Sequence, residues 1–480
     1  MGFDAIVIGS GPNGLSAAIA LAQAGRSVVV LEGAARPGGA VVTEELTLPG
    51  FHHDTFSAVY PAGAASPVFA RLPLERHGLD WVHPRFCMAH PQPDGSAAAL
   101  SRDLGETAGM LGRLHAGDGE RWAAFAEPYV RRPRALRRTL LAGFPPLRGP
   151  AELLLGAGPR AALTLARVVL MPSQALAHDL FRSEAARAWL HGSALHGDVP
   201  LAARGSAITA VYLQLLGHAG GWPSPRGGAG RLAQALTGVL AELGGEVRCG
   251  QPVVRVMAAR GRVTGVELAG GERVAARIVI ADVTPHGLLR LADLPRRYAA
   301  ALRRYRYGPP TLKVDWALDG PIPWTAPEAR EAGTVHVGEE GAFAICGQQS
   351  LADPSRAPAG KHTAWAYVHD TEIGADGVEA RIERFAPGLR DRILARHVLT
   401  PAGLEARNAN LVGGDVGGGS YALDQLIFRP VRTLTPYRTP LRGLYLGSAA
   451  TFPGGGVHGV PGHAAARLAL ALDLPMRVGR

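Results

Sequence analysis

Cysteine is nearly absent from the 480-residue chain: Cys87, Cys249 and Cys346 each stand alone. Three isolated thiols exclude a disulfide framework, a CxxC redox pair and a cysteine-held zinc, and they fit a reducing compartment. Lysine is scarce too, with Lys313 and Lys361 against an arginine-dominated total of 50 basic residues. Acidic residues number 40, so the net charge is +10. No basic block is interleaved with aromatics, which make up 6% of the chain, so a nucleic-acid partner is not expected. Uninterrupted apolar runs stop short of 18 residues, and Met1-Gly2-Phe3-Asp4 leads into an apolar stretch with no basic leader region or cleavage site. The expectation is a cytoplasmic protein without a membrane span. The 63 glycines follow no three-residue period, which excludes collagen, and 47% apolar content excludes a disordered chain.

What is present begins at the N-terminus. Ala5-Ile6-Val7-Ile8 is a short continuous apolar run, as a strand buried on both faces requires. Gly9-Ser10-Gly11-Pro12-Asn13-Gly14 follows at once, then an alanine-rich helix from Leu15 to Ala24 closed by Gly25. A second apolar run, Val28–Leu31, ends in Glu32. In this strand–GxGxxG–helix–strand–acid unit each part has its own task. Gly9 makes the tight turn, Gly11 lets backbone approach a pyrophosphate, and Gly14 lets helix pack on strand. The helix N-terminus, with Pro12 and Asn13 in its first turn, favours negative charge. Glu32 suits ribose hydroxyls and repels a 2′-phosphate, which disfavours NADP.

Gly33 and Arg36-Pro37-Gly38-Gly39 come next, and the glycine doublet lets a second stretch of backbone reach the cofactor. At the far end, Gly443–Ala449 reads as a strand ending in a glycine turn at Gly447-Ser448. Pro453-Gly454-Gly455-Gly456-Val457-His458-Gly459-Val460-Pro461-Gly462 follows, then a helix from about His463. A side-chain-free turn there meets a helix N-terminus, which can sit beside an electron-rich ring.

These motifs resemble the flavoprotein superfamily of phytoene desaturases, carotenoid isomerases and amine oxidases. That superfamily usually carries an arginine after the doublet; this chain has Ala40, followed by Val41-Val42-Thr43-Glu44-Glu45. This variant is similar to the pyridine nucleotide-disulphide oxidoreductase domain-containing protein 2 group. Further matches to the group are Gly221–Gly230, Gly413–Gly417 and Leu423–Leu426. The resemblance implies FAD as cofactor and an α/β fold: a Rossmann-like FAD-binding domain of the two-dinucleotide-binding-domain type with an interleaved α+β substrate domain. It assembles the flavin domain from residues 1–85, 222–300 and 400–480, and the substrate or lid domain from 86–221 and 301–399. It brings Val253 to the adenine through its backbone, and Gly455, Gly456, Val457 and His458 to the flavin ring.

The implied reaction is dehydrogenation or desaturation of an apolar or polyene-like small molecule, with hydride passing to flavin N5. The electron acceptor, oxygen or a quinone, stays open. A flavin-dependent isomerase and an FAD-stabilised binding protein without turnover are the alternatives. Lys313 lies on the alternating strand Thr311–Leu318, with Asp315 on the same face. The superfamily's amine oxidases place a lysine near N5, so Lys313 is a catalytic candidate; a strand-surface pair with Asp315 is the competing reading. His458 is either a ring neighbour or a helix-start residue, with no proton to transfer. His52-His53-Asp54 has no third ligand at metal spacing, so no metal is expected, and Phe51, Asp54 and Tyr60 are read as lining the passage between domains. Residues 128–172 mix arginines (Arg131, Arg132, Arg134, Arg137, Arg138, Arg148, Arg160, Arg167) with leucine patches. They are read as helices with solvated arginines over a substrate tunnel, or as a peripheral membrane contact.

Overall fold

The computed structural model describes residues 2–474. The apolar run at the N-terminus has no face that tolerates water, and the strand Phe3–Ile8 accordingly lies inside a parallel sheet, between Val28–Leu31 and Arg273–Ala281. Glu246–Arg248 extends this sheet beyond Val28–Leu31, and Leu444–Leu446 extends it beyond Arg273–Ala281. The strand Arg273–Ala281 starts in an antiparallel meander with Arg262–Leu268 and Val253–Ala259, then enters the parallel sheet. This is the expected α/β Rossmann-like arrangement, drawn from three separated stretches of chain.

Helix Pro12–Gln23 returns the chain from the first strand and packs between Gly230–Glu242 and Val460–Leu472. Gly25, at φ +71°, ends it, its N–H donating to the Ala22 carbonyl. The approach of the C-terminal helix is very close: a Cβ at Gly462 would lie 1.8 Å from the Asn13 carbonyl oxygen. Helices Pro12–Gln23 and Val460–Leu472 are therefore locked together by a missing side chain.

A second, mixed sheet of seven strands runs in the order Ile393–Leu399, Leu312–Leu318, His362–Val368, Ala344–Gly347, Ala332–Val337, Phe86–Pro91, Ala97–Leu100. Helices between residues 104 and 220 cover it around an aromatic core in which Trp122 meets Trp189 edge-on at 5.2 Å. The alternation in Leu312–Leu318 suggested one wet face. The structure buries both faces, so Lys313 and Asp315 form an interior ion pair instead of a surface one. Residues 128–172 supply the end of helix Asp118–Val130, then Pro133–Leu140 and Arg148–Leu170. Their arginines are largely exposed, but so are several leucines, and by length and composition Arg148–Leu170 is apolar enough to cross a bilayer. Glu152, Arg160 and Arg167 break its apolar residues into runs too short to span a membrane singly.

Candidate functional site

The carboxyl ends of the parallel strands open onto one cleft of about 740 Å³. Backbone bonds bring these ends level: Gly9 N–H donates to Leu31, Asp282 to Ile8, and Gly447 to Ala281. An open parallel sheet puts its ligand here, where strand ends diverge. Of the residues singled out in the sequence, Gly9, Gly11, Pro12, Asn13, Glu32, Gly33, Arg36, Gly39, Ala40 and Val253 line one reach of the cleft. Ser448, Gly455, Gly456, Val457 and His458 line another. Four lie behind the wall instead. Gly14 and Gly38 are pressed against neighbouring backbone, Gly447 abuts Gly462, and Val41 is core.

The missing side chains shape this space. Gly11 caps the first helix with no side-chain hydrogen bond, leaving its N-terminus directed at the cleft. Gly39, at φ +57°, crosses so near that its Cβ would stand 2.9 Å from the Gly11 Cα. A bare helix terminus under a side-chain-free crossing is a cradle for a diphosphate, so the residues present fit a dinucleotide. Glu32 directly follows its strand, with Oε2 accepting from Ser10 N–H (2.8 Å) and Ser10 Oγ (2.6 Å), and Oε1 accepting from Ala34 N–H. That fixes the carboxylate at the rim where a ribose would lie.

The C-terminal turn is organised by His458. Its Nε2–H donates to the Gly455 carbonyl (3.1 Å) and its Nδ1 accepts from Val460 N–H (3.2 Å). Burial pushes this imidazole down to about 4, so it is neutral and both nitrogens are engaged. It clamps the turn, including Val457 at φ +55°, with its one N–H committed to the Gly455 carbonyl and no free nitrogen to accept a proton. Lys313 is absent from the cleft lining; it is buried against Asp315, with His53 3.9 Å from the same carboxylate. Asp54 pairs with Arg356 (2.8 Å), Tyr60 packs on Trp81, and Phe51 is core, so these three are interior supports and not cleft lining. Among the described residues no cluster of three metal-ligating side chains occurs.

Several contributors were not singled out from the sequence. Asp282 follows its strand directly, and its Oδ2 accepts from Gly14 N–H at 2.9 Å. Burial raises its carboxyl to about 7, and the nearby Glu32 charge adds to that. Its position at a buried strand's carboxyl end was the available signal. Arg429 gave none. Fully buried, it donates to the Gly418 carbonyl and the Tyr305 hydroxyl, while Tyr421 accepts from Gly455 N–H. This scaffold holds the 417–419 turn directly against the 454–458 turn, where a Cβ at Gly455 would lie 2.3 Å from the Gly417 carbonyl oxygen.

The Asp282 geometry has a pH consequence. Above pH about 7 the carboxyl ionises beside Glu32 and beside the diphosphate cradle, so FAD uptake by apoprotein should weaken as pH rises through that value. Asp282→Asn keeps an acceptor for Gly14 N–H and should flatten the dependence. Fluorescence titration with FAD at a series of pH values reads both; identical slopes for the two proteins would refute the assignment.

A family profile described as flavin containing amine oxidoreductase matches residues 13–467. The chain belongs to this family. Its cofactor is FAD, in agreement with the cradle. The oxidoreductase is 29% identical to pyridine nucleotide-disulfide oxidoreductase domain-containing protein 2 of Rattus norvegicus, across 97% of this chain and 93% of the relative. It is 25% identical to a limonene dehydrogenase component of Castellaniella defragrans, across 99% and 95%. A solved oxidoreductase from Methanosarcina mazei shares the fold, with TM-score 0.66, 16% identity, and coverage of 97% and 99%. Desaturases and prolycopene isomerases are among the further relatives of this flavin-containing oxidoreductase.

Proposed function

We propose that this oxidoreductase is a dehydrogenase or desaturase that removes hydride from a carbon of an apolar small molecule. The observation carrying this reading is that, among the described residues, no free base lies at the 454–458 end of the cleft: Asp282 and Glu32 sit at the Gly9–Gly14 end, bonded to Gly14 N–H and to Ser10 and Ala34. His458 is neutral with both nitrogens bonded to backbone, and Glu44 is held by Arg36, Arg407 and Thr55. Phe56, Leu411, Val416 and Val42 supply apolar surface in the same cleft. Such a lining suits a substrate whose carbon needs no deprotonation by the protein and whose surface seeks an apolar wall. When bound, FAD supplies the hydride acceptor at N5. The chain's part is to hold the cofactor between the Gly9–Gly14 turn, Glu32 and the Gly455–His458 turn, and to keep the substrate dry. The relationship to a limonene dehydrogenase agrees with an apolar substrate.

Purified protein should be yellow and release about one FAD per chain on acid treatment. Anaerobic addition of cyclic terpenes or polyenes should bleach the flavin absorbance in step with a new carbon–carbon double bond. Rearranged product without net bleaching would assign the protein to the isomerases instead. Bleaching by primary amines alone would replace the hydrocarbon reading with amine oxidation.

A further inference from the structure

We propose that helix Arg148–Leu170, the 141–147 loop and the 427–438 segment form a monotopic docking surface for a bilayer with anionic lipids, and that an arginine-lined cavity beside it receives a lipid phosphate. The helix carries apolar residues on its outward face as well as on its buried one. Leu153, Ala161, Leu165 and Val168 are buried against the protein, while outward Leu155 is 88% exposed, Leu163 70% and Leu170 58%. Glu152, Arg160 and Arg167 interrupt it, Gly158 (φ +85°) and Pro159 kink it, and one face is committed to the core. A helix so anchored lies on a membrane and does not cross it.

The apolar surface continues past the helix N-terminus. Leu147 is 69% exposed, and three residues earlier the Phe144 ring meets Phe428 at 6.1 Å. Phe428 in turn edges a cavity of about 860 Å³ lined by Arg297, Arg304, Arg306, Arg432 and Arg438. Arg306 is paired with Asp424; the other four form no ion pair among the described residues. Exposed leucine and phenylalanine running into unneutralised guanidinium groups is what a lipid interface complements, tails against the first and headgroup phosphates against the second. A second copy of the chain complements it poorly. A two-fold contact would face the same arginine-bearing patch with itself on a protein of net charge +10.

The test uses the full-length FAD-loaded protein and sedimentation with vesicles of phosphatidylcholine alone or mixed with phosphatidylglycerol. Binding to the mixed vesicles, weakened by salt, is expected. Leu155→Glu and Leu163→Glu should each lower partitioning by about tenfold or more, by removing buried apolar area. Arg432→Ala and Arg438→Ala should each lower it about fivefold on mixed vesicles and leave phosphatidylcholine binding unchanged. All four positions lie outside the flavin cleft, so flavin absorbance and melting temperature should stay at wild-type values and report intact folding. No sedimentation at low salt, or leucine variants that bind as wild type, would overturn the proposal. So would light scattering that reveals a dimer abolished by Leu155→Glu, which would give the face to a second copy. Arginine variants that bind as wild type would remove the headgroup cavity from it. No substrate is needed, so this result is independent of the dehydrogenation reading.

Discussion

Gly14→Val protein should fold poorly and purify without FAD. A Cβ at this position would sit 2.1 Å from the Gly9 carbonyl oxygen and 3.3 Å from Asp282 Oδ2. The first contact is against backbone, in the turn that leaves the central strand, so no flexible side chain can yield. Helix Pro12–Gln23 must lift from the sheet, and the N–H that Gly14 donates to Asp282 moves with it. Overpacking of an interior costs about 1–3 kcal/mol, and this one adds the lost hydrogen bond of a carboxyl at the cleft floor. Because the cradle is made by that helix terminus, the displacement also acts directly on the diphosphate site. Gly14→Ala, with the same Cβ but no branches, should lie between the two proteins. The flavin-to-protein absorbance ratio and the melting temperature follow both effects. Full FAD occupancy in Gly14→Val, with unchanged melting, would show that helix and strand are not clamped there.

Lys313→Met should be strongly destabilised yet keep its FAD. Lys313 and Asp315 face each other inside the second sheet, where Asp54 and Arg356 extend the charged cluster and His53, held neutral by burial and by Lys313, borders it. Removing one partner of a buried pair costs about 3–5 kcal/mol, because the remaining charge is left without compensation. The sign of the pH dependence separates this from loss of a surface pair. Burial already raises the Asp315 carboxyl to about 6, and Lys313 opposes that rise. Without the lysine the carboxyl rises further. A folded-state value above the unfolded one means stability is greatest at low pH and falls as pH climbs through the folded value. The penalty in Lys313→Met should therefore be small in acid and grow toward neutrality. The double variant Lys313→Met with Asp315→Leu should recover most of the loss, since no unpaired charge remains. If the single variant instead melts normally but reacts slowly with substrate, Lys313 belongs to the chemistry and the interior-pair reading is wrong.

The chain's own order of residues determined the dinucleotide half of this protein. Phe3–Ile8, Val28–Leu31 and the glycine turn between them are local features, set by a continuous apolar run, a glycine pattern and an acid at a fixed distance. Each can be judged within about thirty residues, the scale on which secondary structure and turns are decided. Tertiary structure alone decided the rest. That the 454–458 turn shares a cleft with Gly11 depends on Gly462 seating against Asn13, a contact across most of the chain. Alternation in Leu312–Leu318 suggested a wet face for Lys313, and packing against His53, Asp54 and Arg356 closed it. Arg429 became a brace only because two glycine turns and two tyrosines converged on it. The exposed leucines of Arg148–Leu170 likewise acquired meaning only when the buried face of that helix was known. A sequence records which groups dislike water; which of them find cover is settled by partners far along the chain.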